Sequence, residues 1–150
     1  MFNGRSTTQT EEQIENNGFW PDISIDEFQR QRAIPLQIPQ EMVTAALIAA
    51  MHGLALDLAE VEQAYKQQGI SCTEDIYASL INGENSVQAL YKKAVFARAK
   101  ADLLPEFNTL SGREIHQNRE YVTEQKSLLA EATHAIRTLK GKKRGSVWLL

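Results

Sequence analysis

The sequence predicts an all-α fold: a small helical bundle with two or three long helices, a flexible N-terminal arm and a C-terminal tail. Three observations predict it. Apolar residues recur at spacings of three and four over long stretches. Helix-start and helix-stop signals bracket those stretches. No segment alternates apolar and polar residues for long enough to read as a strand, although Ser146 to Leu150 can add an edge strand or bind as a peptide.

Residues 1–17 are polar, with Phe2 and Ile14 as the large apolar exceptions, and bury too little to fold alone. They are expected to form a flexible arm. Ser24-Ile25-Asp26-Glu27 is a capping box: the Ser24 oxygen accepts from the N–H three residues on, and Glu27 reaches back to the Ser24 N–H. It opens a short helix from about Ile25 to Arg32. Residues 33–39 carry Pro35 and Pro39, which push their predecessors into extended backbone and imply a stiff apolar connector. Pro39 suits a first helical position.

A long helix is expected from about Gln40 to Gln68, with Val43, Leu47, Ala50, Leu54, Leu58, Val61 and Tyr65 as its stripe. Met42, Ile48, Met51 and Leu56 extend the apolar surface beyond that stripe, which implies burial on two sides, in the core or at a subunit contact. Gly69 stops this helix. Ser71-Cys72-Thr73-Glu74 reads as a second capping box with a short helix to about Ile81, stopped by Asn82-Gly83. Asn85 or Ser86 caps the next helix, whose stripe is Val87, Leu90, Ala94, Ala97, Ala101 and Leu104. Pro105 ends or kinks it, and Phe107 to Leu110 are expected as loop. A third capping box, Ser111-Gly112-Arg113-Glu114, precedes a helix to about Leu139. Its seven-residue repeat places Ile115, Val122, Leu129 and Ile136 in one register and Asn118, Gln125, Ala132 and Leu139 in the other. Gly141 is its stop. The organisation is thus an arm (1–17), a helical domain (18–140) and a basic-apolar tail (141–150).

With 150 residues the chain makes one domain with a real core. Its net charge of −3 conceals an asymmetry: residues 1–139 hold 12 basic and 19 acidic residues, whereas Lys140, Lys142, Lys143 and Arg144 stand in a tail with no acid. The body should repel nucleic acid; only the tail attracts an anion. No apolar run is long enough for a membrane span, Met1 to Asn17 is not built like a secretory signal, and the four apolar residues of the tail bury too little for a membrane anchor. The lone Cys72 fits a reducing compartment and has no histidine beside it to make it a nucleophile. His52, His116 and His134 are too scattered for a metal motif, and no Gly-rich phosphate loop, G-x-S-x-G or CxxC occurs. No catalytic residue, metal or cofactor is therefore expected. Lys92, Lys93, Arg98 and Lys100 give one helix a basic face, read as solvated or paired with neighbouring acids, because no aromatics interleave with the charges.

Two segments stand out as candidate interaction elements. Gly18-Phe19-Trp20-Pro21-Asp22 sets Phe19, Trp20 and Pro21 beside a helix start that does not need them; they pack either in the chain's own core or against a neighbouring subunit. The tail sets Lys140, Lys142, Lys143 and Arg144 before Trp148, Leu149 and Leu150. It either folds back on its own bundle or docks into a partner with Trp148 as anchor.

The aromatic stretch Gly18 to Phe28, the helix Met42 to Met51 with its Leu-rich turns to Tyr65, the segment Leu90 to Leu104 and the helix end Ala135 to Leu139 together resemble the head completion or stabilisation proteins (GPL family) of contractile-tailed bacteriophages, over roughly residues 14–140. The resemblance implies a non-catalytic, adaptor-like virion protein. It implies assembly in the host cytoplasm after DNA packaging, and a dodecameric homo-oligomer ring on the portal protein at the head-to-tail connector. That ring would meet a tail or further connector protein and lie near packaged DNA without specific binding. The alternative is a nucleic-acid-binding packaging or regulatory protein that uses the basic tail.

Overall fold

The computed structural model describes residues 12–78, 80–111 and 118–142. In chain order the elements are β1 (Gln13–Ile14), β2 (Ile23–Ser24), α1 (Ile25–Gln31), α2 (Gln40–Asp57), α3 (Ala59–Gln67), a 3-10 turn (Thr73–Asp75), β3 (Leu80–Ile81), β4 (Glu84–Asn85), α4 (Ser86–Ser111) and α5 (Asn118–Leu139). Helix α4 is the centre. α2 packs against one side of it and α5 runs antiparallel along another, with Lys100 near Glu124 at one end and Leu90 sharing a groove with Thr138 at the other.

The fold is mainly helical but not strictly all-α. β1 and β2 pair antiparallel (Gln13 with Ser24, Ile14 with Ile23), and so do β3 and β4 (Leu80 with Asn85, Ile81 with Glu84). Two-residue strands are too short to show alternation. In the second hairpin Asn82 (φ 54°) and Gly83 (φ 80°) form the two-residue turn with both central residues left-handed, so Asn82-Gly83 reverses a hairpin rather than stopping a helix. The first hairpin also means that the polar N-terminal segment is built into the domain from Glu12 on, where the Glu12 carbonyl accepts from the Ile25 N–H.

Several helix ends fall where local chemistry puts them. Ser24 Oγ accepts from the Glu27 N–H at 3.2 Å and starts α1. Glu27 does not complete the box: its carboxylate takes the Gln31 amide at 3.0 Å and the Lys92 ammonium at 3.3 Å instead. Gly69 (φ 84°) ends α3, with the Ile70 N–H donating to Tyr65 O, and Gly141 (φ 73°) ends α5 with Lys142 donating to Arg137 O. At α4 the cap is Asn85, whose Oδ1 accepts from the Gln88 N–H while Gln88 Oε1 accepts from the Asn85 N–H. The connector after α1 is tighter than an extended strand. Ala33 is left-handed (φ 50°) in a six-to-one closure from Ile34 N–H to Gln29 O, and Ile38 turns back onto Pro35 O.

Four expectations are corrected. The helix over 40–68 breaks at Leu58 into α2 and α3, bent by 60°. Leu58 is fully buried and keeps its N–H bond to Leu54 O, so the apolar stripe runs through the break and hides it. The helix over 72–81 shrinks to the 3-10 turn, because no side chain caps it. Helix α4 continues through Pro105 to Ser111, so Phe107 to Leu110 are helical rather than loop. Pro105 has no N–H for the Ala101 carbonyl, and the Gln125 amide of α5 donates to that carbonyl at 3.1 Å in its place. In α5 the seam is Tyr121, Leu128 and Ala135 with Gln125, Ala132 and Leu139; Val122 and Leu129 are exposed (44% and 45%). One expected register holds from Gln125 to Leu139; in the other Ile136 is buried as expected, whereas Val122 and Leu129 give way to Tyr121 and Leu128 one residue earlier. The capping box at Gly112-Arg113-Glu114 and the seam residue Ile115 lie outside the described residues.

Arg32, which caps α1, forks onto Glu131 of α5 with contacts of 2.6 and 3.1 Å. The Arg32 hydrogen bond holds the Glu131 carboxyl below the ordinary glutamate range, against the opposing effect of partial burial. Such a group stabilises the fold above the ordinary glutamate pKa of about 4.3, and that contribution is lost as pH falls through its lowered folded value. Glu131→Gln should therefore lose about 1 kcal/mol at pH 7, with the gap to the native chain narrowing as the pH falls below the ordinary glutamate range, read by urea melts at neutral and acidic pH. For the seam, Leu128→Ala should cost about 2–4 kcal/mol and Leu129→Ala less than about 1 kcal/mol in the same melts.

Candidate interaction surfaces

The loop 16–22 is organised by two asparagines. Asn17 Oδ1 accepts from the N–H groups of Phe19 (3.0 Å) and Trp20 (3.2 Å), while Gly18 takes φ 86°. Asn16 donates its amide to Pro21 O (3.0 Å) and Tyr91 Oη (2.8 Å), and its N–H to Asp22 Oδ1 (2.8 Å). These contacts drive both aromatics inward. Trp20 stacks on Tyr91 with centroids 4.9 Å apart and planes 8° off parallel, and Phe19 meets Trp20 edge-on at 5.0 Å and stacks on Tyr65 at 6.1 Å. Burial, eased by the Asn16 hydrogen bond and reinforced by the nearby Glu62 charge, pushes the Tyr91 phenol up to about 12. Of the two readings open to Phe19 and Trp20, the structure places both in the chain's own core, each 2% exposed, with Pro21 half-buried beside them.

Between this loop and the 3-10 turn lies a depression of about 250 Å³. Its wall includes Trp20, Asp22, Cys72, Thr73, Glu74 and Gln88. Trp20 Nε1 and Thr73 Oγ1 are closed to solvent and make no hydrogen bond among the described residues. The Phe19 carbonyl accepts from the Thr73 N–H at 2.9 Å and ties the two walls together. The Cys72 thiol donates to Asp75 Oδ2 at 3.2 Å. Nothing in the composition pointed to this depression; its walls come from segments fifty residues apart in the chain.

A second surface is the outer side of α2, where Met42, Ala45, Ile48, Ala49, His52 and Leu56 are exposed, Leu56 by 70% and Ile48 by 50%. No charged side chain stands between Glu41 and Asp57. This signal is readable in the chain as a charge-free run too long for one buried stripe. A third apolar patch is the β3–β4 hairpin, with Leu80 (69%) and Ile81 (74%) exposed and Tyr77 outside it fully so. No single described helix is long and apolar enough to cross a membrane.

Three of the four cations on the basic face of α4 are paired locally, and Lys93 is exposed. Lys92 pairs with Glu27 and Glu84, Arg98 with Asp57 at 2.6 Å, and Lys100 with Glu124 at 3.7 Å. At the chain's end Lys140 and Lys142 are exposed on the turn that closes α5, whereas Lys143, Arg144, Trp148, Leu149 and Leu150 lie outside the described residues. No cluster of metal-ligating side chains occurs among the described residues. If the aromatic loop is core, Trp20→Ala should destabilise the isolated chain by about 3–5 kcal/mol in a denaturant melt, with near-ultraviolet circular dichroism losing its aromatic signal.

No solved structure matches the chain. Among curated proteins, the "Probable head completion/stabilization protein" of Haemophilus phage HP1 (strain HP1c1) is 70% identical over 150 residues, covering all of both chains. The family model for the phage head completion protein (GPL) matches residues 14–150, a span that takes in the aromatic loop, the bundle and the tail. The chain belongs to the phage head completion protein (GPL) family.

Proposed function

We propose that this protein completes and stabilises the DNA-filled phage head by assembling as an adaptor ring on the portal, at the head-to-tail connector. The relative from phage HP1 carries head completion and stabilisation in its name, and the reading extends that role to this chain. The observation that carries the ring is the outer side of α2. A core helix that leaves Met42, Ile48 and Leu56 exposed, with no charge between Glu41 and Asp57, is built to be covered. A closed ring needs two different lateral faces on each subunit, one for each neighbour. The α2 side supplies one, and the apolar β3–β4 hairpin is a second, unlike surface available for the other.

In this reading the subunit is made in the host cytoplasm and joins the virion once DNA is inside. The portal lies on one side of the ring and a tail or further connector protein on the other. Lys140, Lys142 and the basic-apolar residues beyond them are the segment we assign to contacts outside the bundle, with Trp148, Leu149 and Leu150 as its apolar end. A body with 19 acidic against 12 basic residues before the tail suits a channel wall along which DNA slides. The ion pairs of Lys92, Arg98 and Lys100 leave the α4 face with little pull on phosphate.

Ile48→Lys with Leu56→Lys should leave the melting of the isolated chain within about 1 kcal/mol of native, because both residues are exposed. The same pair should abolish rings on isolated portals in electron micrographs and yield heads that lose their DNA. Heads that keep their DNA when the protein is absent would overturn the proposal.

A further inference from the structure

We propose that Asn82, at the tip of the β3–β4 hairpin, is a site of spontaneous covalent modification: its side chain closes onto the Gly83 nitrogen, and water opens the ring to aspartate or isoaspartate. In the first step the Gly83 backbone nitrogen gives up its proton and attacks the Asn82 side-chain carbonyl carbon. A C–N bond forms there, the bond to the side-chain nitrogen breaks, and that nitrogen leaves with the proton as ammonia. In the second step one water molecule hydrolyses either carbonyl–nitrogen bond of the succinimide. Nothing is oxidised or reduced; the chain exchanges an amide for a carboxylate. Asparagine is among the thermally labile residues. A following glycine favours this closure, because no Cβ shields the attacking nitrogen. Asn82 and Gly83 are both exposed, and a Cβ at Gly83 would stand in open space. Neither the Gly83 N–H nor the Asn82 side chain makes a hydrogen bond among the described residues.

The same dipeptide recurs at Asn17-Gly18, and the contrast isolates what the fold contributes (a third, Asn3-Gly4, lies outside the described residues). Asn17 and Gly18 are exposed too, so access of water does not separate the two sites. Bonding does. Asn17 Oδ1 holds the N–H groups of Phe19 and Trp20, and its Nδ2 donates to Glu62 at 2.8 Å. The amide is thus turned forward past Gly18 and pinned at both ends. Phe19 and Trp20 anchor the following backbone in the core, so this loop resists the rotation that ring closure needs. At the hairpin tip only two residue pairs form the ladder, and Leu80 and Ile81 are exposed. Isoaspartate routes the main chain through the side-chain methylene. It adds a backbone atom to the two-residue turn that sets the pairing of Leu80 with Asn85 and Ile81 with Glu84. Either acid also places a negative charge beside Leu80 and Ile81. One consequence rests on the ring reading: a subunit left unassembled gains charge and loses register on a surface that assembly would cover. The modification itself does not depend on that reading.

The test uses the purified full chain, held folded for days in warm, mildly alkaline buffer beside a sample unfolded in guanidinium chloride. Circular dichroism checks that the first stays folded. Trypsin leaves the two sites on separate peptides, residues 6–30 and 67–92, and fragment masses assign the modified residue. In the folded chain Asn82 should gain one mass unit at least ~10-fold faster than Asn17, because Asn17 must first break its three hydrogen bonds. The product should separate into two peptides of equal mass, one with aspartate and one with isoaspartate. In the unfolded chain the Asn17 rate should rise to within about 2-fold of the Asn82 rate, since the bonds that hold it are gone. An Asn82 that stays intact in the folded chain, or reacts no faster than Asn17, would overturn the proposal. Aspartate as the sole product would overturn the ring-closure route. These readouts involve no ring, so they fail or succeed apart from the head-completion reading.

Discussion

Burial of α4 on nearly every side is the constraint from which the rest of the structure follows. Tyr91, Ala94, Val95, Phe96, Ala97, Ala99, Ala101, Leu103 and Leu104 are all buried, including four consecutive residues that between them point in every direction around the helix. A helix enclosed in this way needs a neighbour for each face. α1 and α2 take the side of Phe96 and Val95, with Phe28 and Phe96 5.3 Å apart. α5 takes Ala97, Ala101 and Leu104. The alanines keep α4 thin enough for these neighbours to close around it. Three of the cations on α4, Lys92, Arg98 and Lys100, each find a carboxylate from another element. Burial opposes the charge on Lys92, and its hydrogen bond to Glu84 and the charges of Glu27 and Glu84 more than offset it, so its ammonium is held above the ordinary lysine range.

The aromatic loop closes one end of this arrangement. Tyr65, Phe19, Trp20 and Tyr91 form a continuous run of ring contacts from α3 through the N-terminal loop to α4. Asn16 locks the run with its bond to Tyr91 Oη. The bend at Leu58 is what allows it: a straight continuation of α2 would carry Tyr65 away from Phe19. Among the described residues the outer side of α2 is exposed, and it is the apolar face assigned to the ring.

Much of this was legible in the chain, and the failures have physical reasons. Local chemistry marks helix ends well, since Ser24, Gly69 and Gly141 act through their own backbone and the next few residues. Periodicity marks the inner stripe of α2 but not the break at Leu58, because the break preserves the stripe. Two α5 seam positions were misplaced by one residue because Val122 is more apolar than Tyr121, and Leu128 and Leu129 are the same residue type, so the chain itself does not choose between them. Hairpins two residues long leave no period to read. The family resemblance was readable because motif order survives in sequence. Whether Trp20 faces inward was not readable, since tryptophan serves cores and interfaces alike. The depression was hidden because its walls meet only in three dimensions.

Pro105 has a consequence for the order in which this protein comes together. An isolated α4 would have a missing bond at Ala101, so the turns from Pro105 to Ser111 gain little from the helix before them. Gln125 repairs the gap from α5. The far end of α4 is thus conditional on its neighbour, and the two helices close that end as one cooperative unit. Amide exchange in those turns would then report the detachment of α5 rather than fraying of α4 alone. That makes this end of the bundle the part of the subunit best suited to reshape on contact with a partner while the aromatic end stays locked.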